Sequence, residues 1–326
     1  MRILITGGAG YIGSHIAEEL IVKHEIFIVD DLSTGSKKFL SSKIKFYKFN
    51  VRKTSELKKI INREKIQLVI HLAAKLSIQE AQKKPKQYFE NNVQGTESVL
   101  KAIENSTVKT IIFSSSAAIY SGNNIIECKE NLKPKPINLY GKTKFLGEKM
   151  IKNFCVKKKL KYFILRYFNV IGASKTGKIG PLKNYGQLFK VLSKNSLKKN
   201  PQINIYGKKH KTDDGTCIRD FIDINDLVNI HKFLINNLNK FKSSKIINCG
   251  YGKGYSVLEV IRAFEKVIKK KIKIKIFKER KGEISNIYAN NFLITNKLHW
   301  KPKNQNLILS IKRCLSWEKK LINVQK

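Results

Sequence analysis

The chain has 326 residues, 42% of them hydrophobic, which is enough for one large or two intimate domains with a sizeable core. No apolar run approaches the ~20 residues needed to span a bilayer, so no membrane partner is expected. The formal net charge of +41 invites a nucleic-acid reading. The lysines, however, are spread along the whole chain, and few have the interleaved aromatic residues of a base-stacking platform. No specific nucleic-acid partner is expected; attraction of an anionic substrate remains a use for the charge. The cysteines (Cys128, Cys155, Cys217, Cys249, Cys314) are scattered, without Cys-x-x-Cys spacing, as in a reduced, cytoplasmic protein. Arg2 leads straight into a strand, so no secretory leader is expected.

In chain order, Ile3 to Ile5 reads as a short buried strand, and Ile12 to Val22 as an amphipathic helix. Between them lies Gly-x-x-Gly-x-x-Gly. Gly7 allows a tight turn, Gly10 lets the backbone approach a pyrophosphate, and Gly13 lets the helix pack on the strand. The helix start offers N–H groups to phosphates. A second strand, Glu25 to Val29, ends in Asp30, which can accept from ribose hydroxyls and would repel a 2′-phosphate, so NAD is expected rather than NADP. A polar loop follows through Asp31, Leu32, Ser33, Thr34 and Gly35. A third strand, Ile44 to Phe49, ends at Asn50 and Val51; a helix from Thr54 to Arg63 opens on a capping residue with Glu56 in its first turn. The strand from Leu68 runs through Leu72 into Ala73 and Ala74, small residues that leave room for a cofactor. One long helix is expected over Pro85 to Asn105, then a strand Thr110 to Ser116 rich in hydroxyls at its end, a helix Tyr140 to Val156 and a strand Tyr162 to Arg166.

Repeated βα units predict an α/β fold, a doubly wound parallel (Rossmann) sheet, with its ligand crevice at the strands' carboxyl ends. From Gly172 the pattern loosens into a smaller α+β part. It contains a helix near Leu182 to Lys194, a strand Ile203 to Tyr206, a helix capped by Ser256, a strand Ile272 to Phe277 and a C-terminal helix after Trp300. Asp220 to Ile224 reads as a return to the first part, followed by a helix Asn225 to Asn236 and a strand at Ile246. The expected division is therefore residues 1–171 and 215–249 for cofactor, and 172–214 and 250–326 for substrate, sharing one cleft.

Tyr140-Gly-Lys-Thr-Lys144 carries the chemistry. Residues four apart share a helix face, so Tyr140 and Lys144 can point together. A free tyrosine, with a pKa of about 10, is a poor base. A nearby ammonium and a positive nicotinamide would lower that value, and Ser116 can hydrogen-bond the reacting oxygen.

On these motifs the chain resembles the extended short-chain dehydrogenase/reductase family, and within it the nucleotide-sugar epimerases, nearly end to end. Thr6 to His15 is similar to that family's cofactor loop, Asn91 to Thr96 to its Asn-Asn-Val-x-Gly-Thr helix, and Phe113 to Ser116 with Tyr140 to Lys144 to its catalytic parts. The resemblance implies an NAD-dependent UDP-sugar 4-epimerase, with glucose and galactose as the expected pair, working as a homodimer and needing no metal. It implies Ser116, Tyr140 and Lys144 as catalytic residues. It adds Tyr11, Ile12, Asn91, Ser114 and Phe168 to the cofactor contacts above. It implies Tyr167, Asn169, Asn184, Tyr206, Arg219 and Arg280 as substrate contacts, with the two arginines on the diphosphate, since guanidinium forks suit phosphate oxygens. The substrate-gating position falls at Ile287 or Tyr288, where a large side chain resembles enzymes restricted to unacetylated sugars.

Several positions depart from the family pattern. Asn50 stands for the usual Asp beside the adenine, and its amide oxygen can still accept from the exocyclic amine. Lys75 sits one position early, Ala118 replaces a frequent Thr, and Asn184-Tyr-Gly-Gln lacks the usual Leu-x-Pro. The alternatives are an epimerase for N-acetylated or uronic sugars, a 4,6-dehydratase, or a non-enzymatic RNA-binding protein on an NAD fold. Dehydratases of the family carry Asp-Glu after the catalytic hydroxyl residue; here Ala117, Ala118 and Ile119 follow Ser116, and none can move a proton.

Overall fold

The run Arg2–Thr6 forms β1 at the centre of a parallel sheet, with Ile3, Leu4 and Ile5 fully buried. The structure, a computed structural model, describes residues 1–122, 126–184, 186–280 and 284–325. After β1 come α1 (Tyr11–Leu20), β2 (Glu25–Asp30), β3 (Lys45–Lys48), α2 (Thr54–Arg63), β4 (Leu68–His71), α3 (Ile78–Lys83), α4 (Pro85–Phe89), α5 (Gly95–Ile103) and β5 (Thr110–Ser116). Then follow β6 (Glu127–Cys128), α6 (Leu139–Lys157), β7 (Lys161–Tyr167), β8 (Asn169–Ile171), α7 (Leu188–Ser196), β9 (Gln202–Tyr206), β10 (Ile218–Asp223) and α8 (Ile224–Asn236). The chain closes with β11 (Lys245–Cys249), β12 (Gly254–Ser256), α9 (Val257–Ile268), β13 (Lys273–Phe277), β14 (Asn286–Ala289) and α10 (Leu307–Gln325).

Among the described residues, seven strands run in the order β11-β7-β5-β4-β1-β2-β3, and those from β7 to β3 pair in parallel. This is the expected doubly wound sheet. Strand order reverses between β1 and β4, and crevices for ligands form at the carboxyl ends of such a switch point. One face is filled by Leu4, Val29, Leu57, Ile61, Val69, Val99, Ile103, Ile111 and Ile164. A buried ion pair sits behind the end of β5. Arg166 of β7 donates Nε and Nη2 to Glu148 of α6 at 3.0 and 2.8 Å, and Nη1 to the Tyr120 hydroxyl at 2.6 Å. Ser115 Oγ donates to the same carboxylate at 2.5 Å. The pair therefore ties β5, β7, α6 and the turn after Ser116 to one another.

Three local expectations differ from what forms. Thr54 lies inside α2; its N-cap is Lys53, with no side-chain cap. The helix expected over Pro85 to Asn105 is α4 and α5 joined by a π turn, Glu90–Gln94, and α3 precedes them. The extra residue gives Asn92 room to donate to the Lys75 carbonyl and the Thr143 hydroxyl, both at 3.1 Å, while accepting from the Lys75 N–H at 2.8 Å. The helix placed at Leu182 begins instead at Leu188, because Gly186 takes a left-handed φ of +82° and donates its N–H to the Asn184 side chain.

Backbone contacts divide the chain into a first unit of Met1–Asn123, Leu132–Tyr167 and Ile230–Ile247, and a second of Asn124–Asn131, Phe168–Asn229 and Asn248–Lys326. In the second, β10 pairs with β8, β12 and β14, with β6 beyond, and β9 and β13 form a separate parallel pair. Phe189, Leu192, Ile203, Ile205, Phe221, Val260, Phe264 and Ile311 fill its core. The stretch at Asp220, expected to rejoin the first part, groups with the second, because β10 finds its strand partners there. Asp220 accepts three backbone N–H groups, from Tyr251, Gly252 and Ala289, at 3.0 to 3.1 Å.

Removing one partner of a buried ion pair costs about 3–5 kcal/mol, because the other charge is left unpaired. Arg166→Leu is expected to lose that much in urea unfolding, and Arg166→Leu with Glu148→Leu to recover part of it. Equal losses in the single and double variants would count against the pairing.

Candidate active site

The residues expected to hold the dinucleotide, Phe168 apart, lie in the first unit. Gly7 has a φ of +72°, and a Cβ there would lie 2.7 Å from the Ala73 nitrogen. At Gly13 a Cβ would lie 2.4 Å from the Gly7 oxygen and 2.6 Å from the Gly8 Cα, so α1 touches the loop backbone to backbone. A Cβ on Gly10 would meet only the Gly7 oxygen, at 3.3 Å, which leaves its other side open. Gly10 is also the N-cap of α1 and provides no side-chain cap.

Asp30 ends β2 with its carboxylate buried. It accepts from the Ala9 N–H at 3.0 Å and the Leu32 N–H at 2.8 Å. Burial raises its pKa, against these two hydrogen bonds. Leu32 is held at a left-handed φ of 60°, a conformation unusual for a leucine. Asp31 accepts from the Ser33 N–H and from Asn50 Nδ2, and with Lys75 nearby these outweigh burial and hold its pKa low. The loop through Thr34 closes on Gly35, where a Cβ would lie 2.4 Å from the Ala9 oxygen. The Asn50 amide oxygen accepts from the backbone and Nε of Arg52, at 3.0 and 3.2 Å. Val51 is buried and touches the helix at Gly95. Leu72, Ala73 and Ala74 follow β4, with the Leu72 N–H on the Thr6 carbonyl. The Asn91 side chain donates to Asn92, and Asn92, the residue in the π turn, is the one that spans to Lys75 and Thr143.

The expected catalytic residues are in the same unit. Asn138 caps α6 through the Gly141 N–H, fixing where Tyr140 and Lys144 emerge. Tyr140 packs against Ala81, Tyr88 and Ala118, and its phenol is hydrogen-bonded to Ser116. Burial pushes the Tyr140 pKa up to about 12, opposed by the Ser116 bond. The expected lowering by a lysine charge is not provided by the protein alone. The reason is at Lys144: it is buried, its Nζ donates to the Ser114 carbonyl at 2.8 Å and lies over the Phe113 ring, and desolvation pulls its pKa down to about 7. The Glu148 charge works upward on it, one turn along α6. Glu148 is thus part of the site. The signal was available, since it lies four residues beyond Lys144 on the same face.

The second unit contains a cavity of about 440 Å³. Asn169, Gln187, Phe189, Asn204, Tyr206, Phe221, Arg219 and Arg280 are among its walls. The Arg280 guanidinium lies 3.9 Å from the centre of the Tyr206 ring, and Arg219 donates to the Ile218 carbonyl at 2.8 Å. Phe168 is buried, with its N–H on the Cys249 carbonyl. Asn184 and Tyr167 are not among the residues that line this cavity. Asn184 is exposed and folds its own turn onto Gly186, and the Tyr167 hydroxyl is engaged at 2.8 Å by buried His231. In Glu279 to Glu283, Lys281, Gly282 and Glu283 lie outside the described residues, as does Tyr185.

A model of the NAD dependent epimerase/dehydratase family matches residues 3–250. The chain belongs to that family. Its members include a UDP-glucose 4-epimerase of Lactobacillus helveticus, 35% identical over 98% of this chain and 97% of its own. A crystal structure of UDP-glucose-4-epimerase from Stenotrophomonas maltophila with bound NAD and formylated UDP-arabinopyranose is similar with a TM-score of 0.94 and 30% identity, covering 99% of each chain. One from Bifidobacterium longum, in complex with NAD+ and UDP, is similar with a TM-score of 0.92 and 30% identity, again over 99% of each. The expected family, fold and cofactor are borne out. No helix among the described residues is long and apolar enough to cross a membrane.

If burial controls Lys144, its amine will titrate near pH 7 in NMR of the ¹³C-lysine-labelled protein, charged below that pH and neutral above it. Glu148→Gln removes the charge that raises it, so the transition should move to lower pH. A wild-type transition near the ordinary value of 10.5 would contradict the geometry.

Proposed function

We propose that the chain is a UDP-sugar 4-epimerase interconverting UDP-glucose and UDP-galactose. The observation that carries this reading is the pairing of partly exposed Ser116 with buried Tyr140 and Lys144, followed by Ala117, Ala118 and Ile119. It offers one acid–base group for a sugar hydroxyl and none for eliminating water at C5 and C6. The open side of Gly10, the uncapped start of α1 and buried Asp30 fit the pyrophosphate and ribose of NAD. When bound, NAD supplies the hydride acceptor at C4 and a positive ring that favours a phenolate.

The chain's own residues then divide the work. Tyr140 takes the proton from the sugar O4 and later returns it. Ser116 holds that oxygen through its hydroxyl. Lys144, bonded to the Ser114 carbonyl, sets the local positive potential below its pKa. Asn92 and Glu148 hold the strand ends and helix that carry these groups. Arg219 and Arg280 bind the diphosphate, with Tyr206 and Asn169 beside the nucleoside, so that the 4-keto sugar can turn over while its nucleotide stays anchored. Ser116 pairs in register with Tyr167, and Asn169, two residues on, is in the cavity wall. Ile287, paired with Arg219, and Tyr288 are both large, which supports an unacetylated sugar. We also propose a cytoplasmic homodimer: all five thiols are free, and α6 leaves Leu146 and Val156 exposed.

The wild type, given a panel of UDP-sugars and followed by NMR in deuterated water, should epimerise UDP-glucose at C4 with the 6-hydroxyl retained. Deuterium at C5 with loss of water would identify a dehydratase instead. Tyr140→Phe keeps the ring, so NAD binding should survive while turnover falls by about 10²–10⁴-fold, the usual loss on removing an acid–base group. Near-normal turnover would remove Tyr140 from the mechanism.

A further inference from the structure

The wall of the second unit's cavity holds a thiol that the epimerase reading does not use. Cys217 lines the cavity, and its Sγ lies 3.2 Å from Nε2 of His210. On the far side of the ring, His210 Nδ1 is 3.5 Å from Glu279 Oε1. The imidazole is wedged in place: a Cβ on Gly207, which has a φ of +81°, would lie 2.4 Å from its Nε2. Glu279 favours the tautomer with the proton on Nδ1, which leaves Nε2 to accept from the thiol. A nucleophile, a base in reach of it and a carboxylate that orients the base form the arrangement that activates cysteine. The cavity reaches solvent past exposed Gly186, Gln187 and Tyr206. The other thiols are in different surroundings. Burial pushes Cys155 and Cys314 up to about 12, and Cys249 well up.

We propose that Cys217 is a reactive thiol, activated by His210 and Glu279, at which small disulfides form a mixed disulfide inside the cavity. His210 Nε2 takes the thiol proton. The Cys217 sulfur attacks one sulfur of the disulfide RS–SR; that S–S bond breaks as the new one forms, and the departing thiolate takes the proton as RSH. One disulfide is consumed and one made, so excess thiol reverses the step. The adduct fills space next to Arg219 and Tyr206. Resting on the function proposed above, it would exclude the nucleotide and make epimerisation sensitive to the thiol–disulfide balance.

The test uses the folded wild type and 4,4′-dithiodipyridine, read by thiopyridone absorbance and by mass mapping of the modified cysteines. Cys217, itself buried, should react first, at least about tenfold faster than the other four, as an activated thiol does. His210→Gln should slow it about tenfold at pH 7, the gap closing above the ordinary thiol pKa of about 8.5. Glu279→Gln, at an exposed position, should act in the same direction. Fast reaction at another cysteine, equal slow reaction at all five, or an undiminished rate in folded His210→Gln would overturn the proposal. UDP should protect Cys217. Fast Cys217 labelling that UDP leaves unchanged would uphold the reactive thiol and refute the nucleotide reading of the cavity.

Discussion

Backbone lies directly on backbone where β1 hands over to α1, and the cofactor half of the molecule depends on that contact. Gly13 and Gly7 meet at a distance no side chain permits, and Gly7 meets Ala73 after β4 in the same way. The two strands that flank the switch point and the helix between them are thereby drawn together around one loop. Asp30 and Gly35 then tie the loop after β2 to Ala9. A larger residue at any of these points would force apart elements whose N–H groups must converge. The result is a helix start whose cap position carries no side chain.

The second constraint is electrostatic. Lys144 and Tyr140 are both buried, so each is driven toward its neutral form, one downward and one upward. Two neutral groups are the resting arrangement that low dielectric prefers. The arrangement is maintained by neighbours that do not react: Ser114 takes the amine's hydrogen bond, Ser116 the phenol's, and Glu148 returns some positive character to Lys144. Glu148 can be charged there because Arg166 neutralises it. The base is therefore poised by a chain of side chains that runs from α6 to Arg166 on β7, the strand beside β5.

What could be read from the sequence follows the range of the interactions. Gly7, Gly10, Gly13, Asp30, Tyr140 and Lys144 act through local geometry, a turn, a strand end or one helix face, and each stands where its spacing placed it. The sheet itself was legible because parallel strands must alternate with helices. The bond from Asn50 to Arg52 could not be read ahead, because it is a competition between neighbours that residue type does not decide. Tyr167 and Asn184 belong to motifs, but His231 claims the first and a local turn the second. The Ser115–Glu148–Arg166–Tyr120 network and the Cys217–His210–Glu279 line join residues far apart in the chain, and only folding brings them within reach. The strand at Asp220, read as a return to the first part, pairs with β8 and β12, and a strand's pattern shows that it will pair, not with whom.

The π turn at Glu90–Gln94 has a consequence for how this part of the chain tolerates change. A helix is a screw, and one surplus residue in a turn advances everything after it by about 100°. The apolar stripe of α5, with Val99, Ala102 and Ile103, is in phase with the sheet only because of that slip. A deletion of one residue between Glu90 and Gln94 would straighten the helix and turn the stripe off the core, whereas a deletion in an exposed loop would cost little. The segment is thus a phase shifter, and its length is as constrained as the identity of any residue in it.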